Sequence, residues 1–283
     1  MARIDPTITE ECALTSLITV LRLAADDGGG FQAPTIADFF PAPVLSVGTW
    51  LQFDRIEFAR IVAALVVIAV FVVAARRAQL VPGRFQAAIE WVLDFVRHGV
   101  AEDVLGKESA GRYVPLLTTV FVAILAFNLT GIIPGLNIAG TSRIGLPLMF
   151  ALWVYITYLA AGVRKHGLGG FLKTSLFPSG VPPFMYVLLT PVEILQVFVL
   201  RPATLALRLM ANMVAGHLML VLCFSASEYF LFEAVPAMKA FGLLTFVSGF
   251  VMTLFEAFVA ALQAYIFTIL AAVYISLSTA DEH

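Results

Sequence analysis

Long uncharged, apolar stretches alternate with short charged clusters along most of this chain, and the gaps between charges mark out its helices. Ile61 to Ala75 is apolar throughout and is closed by Arg76-Arg77. It is short for a membrane span, but Arg60 and Arg76 can lengthen it by reaching toward headgroups. No charge occurs between Arg112 and Arg143. A helix from Tyr113 runs there into Gly131, Pro134 and Gly135, which predicts one span and a turn. Ile144 to Val163 is a further uncharged run, ended by Arg164-Lys165-His166. Leu209 to Ser227 follows Arg201 and Arg208, and Ala240 to Ala280 carries one acidic residue, Glu256. As a single helix that last stretch would be about 60 Å long, against roughly 30 Å for a bilayer core. It must be tilted, bent or partly outside, with Gly249 the candidate break.

Residues 85–98 follow another pattern. Phe85, Ile89, Val92 and Val96 share one helical face, while Gln86, Glu90, Asp94 and Arg97 line the other. That suits a helix lying in the membrane interface. Five crossings then give a coherent topology. Arg76-Arg77 and Arg164-Lys165 fall on one side, the cytoplasmic one because basic loops stay inside. The N-terminus is then outside and the C-terminus inside. The 171–200 stretch, with Pro178, Pro182, Pro183 and Pro191, reads as a broken re-entrant or interfacial approach on the cytoplasmic side. The fold class is an all-α integral membrane protein: five transmembrane crossings, an interfacial amphipathic helix, and a long tilted C-terminal hairpin over 201–280. Residues 46–283 form the membrane domain. Residues 1–45, with Asp26-Asp27-Gly28-Gly29-Gly30 and a Pro-rich segment through Pro43, read as an N-terminal tail outside. Asp5, Glu10 and Glu11 ahead of the apolar residues 12–25 are unlike a signal peptide.

Composition agrees with lipid as the solvent. Hydrophobic residues are 60% of the 283 and charged residues 13%, about half the charged share of a soluble domain. Mean hydropathy is +0.95. The net charge of −2 says nothing about nucleic acid, but neither a basic patch nor zinc-finger spacing supports such a partner, and none is expected. Cys12 and Cys223 read as free thiols. No Walker A sequence occurs. Asp281, Glu282 and His283 read as a solvated end, and neither metal nor cofactor is expected.

The polar residues inside the apolar runs carry the chemistry. Arg201 stands beside Pro202 near a helix start and can reach headgroups. Arg208 lies two turns deeper, among Leu205, Leu207, Leu209 and Met210. Burying an arginine costs several kcal/mol on any scale, so this one should face another protein's carboxylate or a water-filled cleft. Glu256 is the second anomaly. An antiparallel pairing that opposes Arg208 to Gln263 opposes His217 to Glu256 in almost the same register. At 100° per residue, Arg208 and His217 point to opposite sides of their helix. Imidazole titrates near neutrality, and a carboxyl withdrawn from water favours its neutral form. His217 and Glu256 are therefore either a proton relay or a buried hydrogen bond that fixes the hairpin. Asn212, one turn beyond Arg208 on the same face, is placed to hold water or the guanidinium. Asn128 beside a glycine turn satisfies backbone. Glu193, after Pro191, either exchanges protons on the cytoplasmic approach or is simply solvated. Ala203, Ala206, Ala211, Ala215 and Gly216 keep the helix slim enough for close neighbours.

The run RPATLALRLMANMVAGH, Arg201 to His217, with LTPVE before it and FEAFVAALQAYIFTILAAVYI after it, closely resembles subunit a of the bacterial F-type ATP synthase. FNLTGIIPG, Phe127 to Gly135, and SLFPSGVPPFMYVLLTPVE are similar to the same family. The resemblance covers roughly 50–281. It implies a non-catalytic stator subunit of the F0 sector in the bacterial plasma membrane. Its implied partners are the c-subunit ring, the subunit b stator, the remaining F1F0 subunits and membrane lipid. Arg208 matches the family's essential arginine, which keeps a passing ring carboxylate ionised and separates two offset half-channels. Gln263 matches a glutamine packed near that arginine. His217 and Glu256 match the pair of the outer half-channel, and Asn212 an asparagine of the same channel. Glu193 resembles an acidic residue of the cytoplasmic half-channel. Phe-Gly-Asn, common after the arginine in the family, is Met210-Ala211-Asn212 here. Two other classes stay in view: a self-contained secondary transporter or channel, which should show internal repeats, and a structural membrane assembly protein. No convincing repeat is found.

Overall fold

The computed structural model describes residue 31 and residues 55–133, 139–176, 183–233 and 238–280. Every regular element among the described residues is helical. Helix α1 (Arg55–Arg76) is apolar on nearly all sides, and few of its residues beyond Ile56, Ala59 and Ala63 are buried. A helix of that kind is stable only in an apolar surrounding. Helix α2 (Arg84–Val96) runs into a wide π-helical turn at Arg97–Glu102. Helices α3 (Lys107–Leu129) and α4 (Gly145–Leu176) follow. Then come a short 3₁₀ turn (Pro183–Met185), helix α5 (Tyr186–Leu195) and a second π-helical turn (Gln196–Leu200). Helices α6 (Arg201–Glu228) and α7 (Lys239–Thr279) complete the order. Among the described residues, five helical stretches are long and apolar enough to cross a membrane: Ile56–Arg76, Lys107–Leu129, Gly145–Lys173, Tyr186–Glu233 and Lys239–Thr279. The chain is an all-α, multi-pass membrane protein.

Several sequence expectations change. Arg60 does not extend toward headgroups. Its Nη1 donates to Glu57 Oε1 at 2.6 Å and its Nε to the Gly140 carbonyl at 2.8 Å, so it is bound internally. Of the 171–200 stretch, the part from Tyr186 onward is continuous. Pro191 lies within α5, and the helical run continues through the π turn into α6. As the sixth residue of α5, Pro191 removes one interior helix hydrogen bond without ending the run. Pro178 and Pro182 lie outside the described residues, as do Pro134, Gly135, residues 1–30 of the expected tail and the acidic end at 281–283. Helix α4 outruns Val163 by turning at Gly167, whose φ of 73° only glycine adopts readily. That kink folds Phe171 back onto Gly162. Nor does Gly249 break α7, a continuous helix of 41 residues. Gly249 instead makes room for the Phe224 ring, which a Cβ there would meet at 3.1 Å.

Packing divides the chain into two compact units. In the smaller, which includes residues 218–252, Ser227 Oγ donates to the Gly242 carbonyl at 3.1 Å and the Phe31 and Tyr229 rings lie 5.9 Å apart. In the larger, one apolar core joins α3, α4, α6 and α7 through Leu117, Ile124, Val154, Leu209 and Phe267. Helix α2 meets it with Val96 and, half-buried, Val92. Phe85, Trp91 and Phe95 are exposed. Trp91 and Phe95 stack at 6.0 Å, while Glu90, Asp94 and Arg97 occupy a separate exposed sector. Asn128 is wholly buried and accepts a hydrogen bond from Thr141 Oγ1 at 2.7 Å, which ties the end of α3 to the turn before α4.

Candidate ion-translocation site

Helices α6 and α7 carry the polar residues at membrane depth. On α6 the buried positions Leu205, Ala206, Leu209 and Met213 recur at helical spacing and join the core. Arg208 falls outside that stripe, as do Thr204, Leu207, Ala211 and Ala215, all of them exposed. Arg208 makes no hydrogen bond or ion pair among the described residues. A permanent cation thus stands on the outer surface of an apolar helix, flanked by side chains no larger than alanine on two of the next turns.

On α7 the buried stripe runs Glu256, Ala260, Gln263, Ala264, Phe267, Ala271 and Ile275. The two polar members are placed by the same periodicity that buries the alanines. Glu256 is 3% exposed, and neither carboxylate oxygen has a hydrogen-bond partner among the described residues. Its carboxyl rests against α6 at Gly216: a Cβ on Gly216 would lie 3.4 Å from Oε1. Glycine at 216 is what lets a charged side chain approach the α6 backbone. His217, half-buried, is the next residue along.

Sequence reasoning is met unevenly by this geometry. Glu256 comes to the level of residues 216–217, as the antiparallel register requires. Arg208 and Gln263 are not joined, since Arg208 is exposed while Gln263 is 5% exposed with its Nε2 buried and unbonded among the described residues. Asn212 is half-buried between the two faces. Glu193 is half-buried on α5 and makes no ion pair among the described residues. Arg201 does not run to the surface: its guanidinium carbon sits 5.3 Å from the centre of the Tyr274 ring. Sequence reasoning passed over Tyr158 and Tyr274 entirely. The only available signal was two tyrosines in uncharged runs whose hydroxyls need partners.

Fold and site together define a helical membrane protein that handles ions at membrane depth, where ionisable groups are otherwise too costly to keep. A model of the ATP synthase A chain family matches residues 58–276. The chain is 45% identical over 267 residues to ATP synthase subunit a of Rhodococcus erythropolis, covering 94% of this chain and 96% of that one. Against the same subunit of Pseudarthrobacter chlorophenolicus it is 39% identical, covering 93% and 99%, and against that of Streptomyces lividans 33%, covering 91% of each. The chain belongs to the ATP synthase subunit a family. It is a non-catalytic membrane subunit of ATP synthase with a general part in proton conduction. The alignment with the Rhodococcus protein is longer than 50–281, so part of the N-terminal segment is also shared.

Proposed function

We propose that this chain is the proton-conducting stator of the F0 sector, with two offset half-channels separated by Arg208. In this reading the protein crosses the membrane five times, N-terminus outside and C-terminus in the cytoplasm, with α2 in the interface and α6–α7 as a long tilted hairpin. The observation that carries it is Arg208 itself, exposed on an apolar helix with no partner among the described residues. An exposed cation facing lipid is costly, so the natural occupant of that face is a protein surface bearing carboxylates. The ring of c subunits supplies one.

The mechanism follows from charge. A protonated carboxyl is neutral and tolerates lipid, whereas an ionised one does not. Arg208 makes the ionised form stable only at the stator contact. A ring carboxyl therefore releases its proton to the cytoplasm on one side of Arg208 and is reloaded from outside on the other. His217 and Glu256 relay the incoming proton, and Asn212 holds water or guanidinium between them and Arg208. Gln263 steadies the α6–α7 packing behind the arginine, and Glu193 receives protons on the cytoplasmic side. The membrane potential adds ~2.3 kcal/mol per proton per 100 mV and biases the rotation. Subunit b and the other F1F0 subunits hold this chain still against the ring.

The test is the identity of the exposed face. In a background lacking Cys12 and Cys223, Leu207→Cys and Ala211→Cys should cross-link to cysteines on ring helices, while the buried Met213→Cys should not. Cross-linking of Met213→Cys alone would place the ring elsewhere.

A further inference from the structure

We propose that Arg201 is a second fixed cation of the proton path, held two helical turns to the cytoplasmic side of Arg208 by Tyr158 and Tyr274 as positioning residues. The inference rests on the function and orientation proposed above. Its observations are separate from theirs. Arg201 opens α6 with its guanidinium over the Tyr274 ring of α7 at 5.3 Å. The Tyr158 ring of α4 lies 6.1 Å from that of Tyr274 and 5.3 Å from that of Tyr155. The Tyr158 hydroxyl donates to the Val197 carbonyl at 2.9 Å, and Arg201 interacts with the same hydroxyl. Val197 belongs to the π-helical turn immediately before Arg201. Such turns recur at functional sites, where they set the phase of the helix that follows.

What surrounds Arg201 is as informative as what touches it. The groups facing it are Tyr158 from α4 and Tyr274 from α7, with Tyr155 packed behind Tyr158. Along its own helical run the charged neighbours are Glu193 and Arg208. No carboxylate pairs with it among the described residues. A structural arginine inside a membrane protein is ordinarily neutralised by an acid. Aromatic faces hold a cation without cancelling its charge, so its field remains available.

Seven residues separate Arg201 from Arg208, which puts them on nearly the same helix face about 10.5 Å apart along the axis. A proton released to the cytoplasm by a ring carboxyl beside Arg208 passes within the field of Arg201. The cation favours transfer of that proton to cytoplasmic water and opposes a proton returning toward Arg208. At that distance and an effective dielectric constant of about 20, one charge shifts a carboxyl's ionisation by about one pH unit.

The experiment measures passive proton flux through F0 in F1-stripped vesicles across a pH series, with assembly checked by copurification of the ring. Arg201→Gln keeps hydrogen bonding and removes the charge. It should move the pH of half-maximal flux upward by about one unit. Arg201→Lys should return the midpoint toward that of the unmodified complex while lowering the rate, since an ammonium lacks the planar stack. Tyr274→Leu, which frees the guanidinium without removing it, should give a smaller upward shift. An unmoved midpoint in an assembled Arg201→Gln complex overturns the inference, as does a Lys variant displaced as far as Gln. Should Arg201→Gln not assemble, an unmoved midpoint in Tyr274→Leu overturns it. Arg208→Ala, assayed for ATP-driven pumping in vesicles that retain F1, separates the two proposals. Surviving pumping there defeats the stator reading, whereas lost pumping with an unmoved Arg201→Gln midpoint defeats only this one.

Discussion

Replacing Glu256 by Gln isolates proton chemistry from packing. The carboxyl is 3% exposed, has no hydrogen-bond partner among the described residues, and touches α6 at Gly216. Gln has nearly the same volume, and no intramolecular hydrogen bond to the carboxyl is broken. The stability change should therefore stay below about 1 kcal/mol. A positioned acid–base group contributes typically 10²–10⁴-fold to a proton transfer. Water can partly replace it in a channel, so the expected loss of flux is roughly ten- to hundredfold, about 1.4–2.7 kcal/mol of barrier. His217→Ala should cost a similar amount and flatten the pH dependence near neutrality, where imidazole titrates. If the two residues form one relay, the double variant should be little worse than the poorer single one. That corresponds to a coupling of about 1 kcal/mol or more. The exchange variant, His217→Glu with Glu256→His, should recover part of the rate because it restores one acid and one imidazole. The assay is passive proton flux through F0 in stripped vesicles. Losses that add to within ~0.5 kcal/mol, with no recovery on exchange, would refute the relay.

Two further outcomes test topology and packing. Single cysteines at residues 78 and 165, in a background without Cys12 and Cys223, should react with an impermeant reagent from the cytoplasmic side only; labelling of residue 165 from outside alone reverses the orientation. Gly162→Ala places a Cβ inside the Phe171 ring and 3.1 Å from the Ser278 carbonyl oxygen. It should destabilise by about 1–3 kcal/mol, read as a lower Tm of the detergent-solubilised complex, and an unchanged Tm would show that the fold-back at Gly167 does not depend on this contact.

The features legible in the sequence were those governed by local periodicity and by the cost of charge in lipid. Charge gaps located the five long apolar helices. The register between α6 and α7 anticipated Glu256 lying at residues 216–217, and opposite phases on α6 anticipated Arg208 exposed with His217 on another side. Two misses involve partners distant in sequence. Arg60 looked like a headgroup contact because the Gly140 carbonyl that binds it is 80 residues away. Arg201 looked the same, with Tyr274 equally out of view. Pro191 and Gly249 looked like breaks because propensity describes an isolated helix, whereas the surrounding run and packing decide whether a helix continues.

ATP-driven proton pumping by Arg208 variants tests the central claim most directly. Arg208→Ala, in a complex that retains the ring and F1, should hydrolyse ATP without acidifying inverted vesicles. Arg208→Lys should fail likewise, because an ammonium is more strongly hydrated and lacks the planar fork. Normal coupled acidification by either variant would contradict the assignment of Arg208 as the charge that separates the two half-channels.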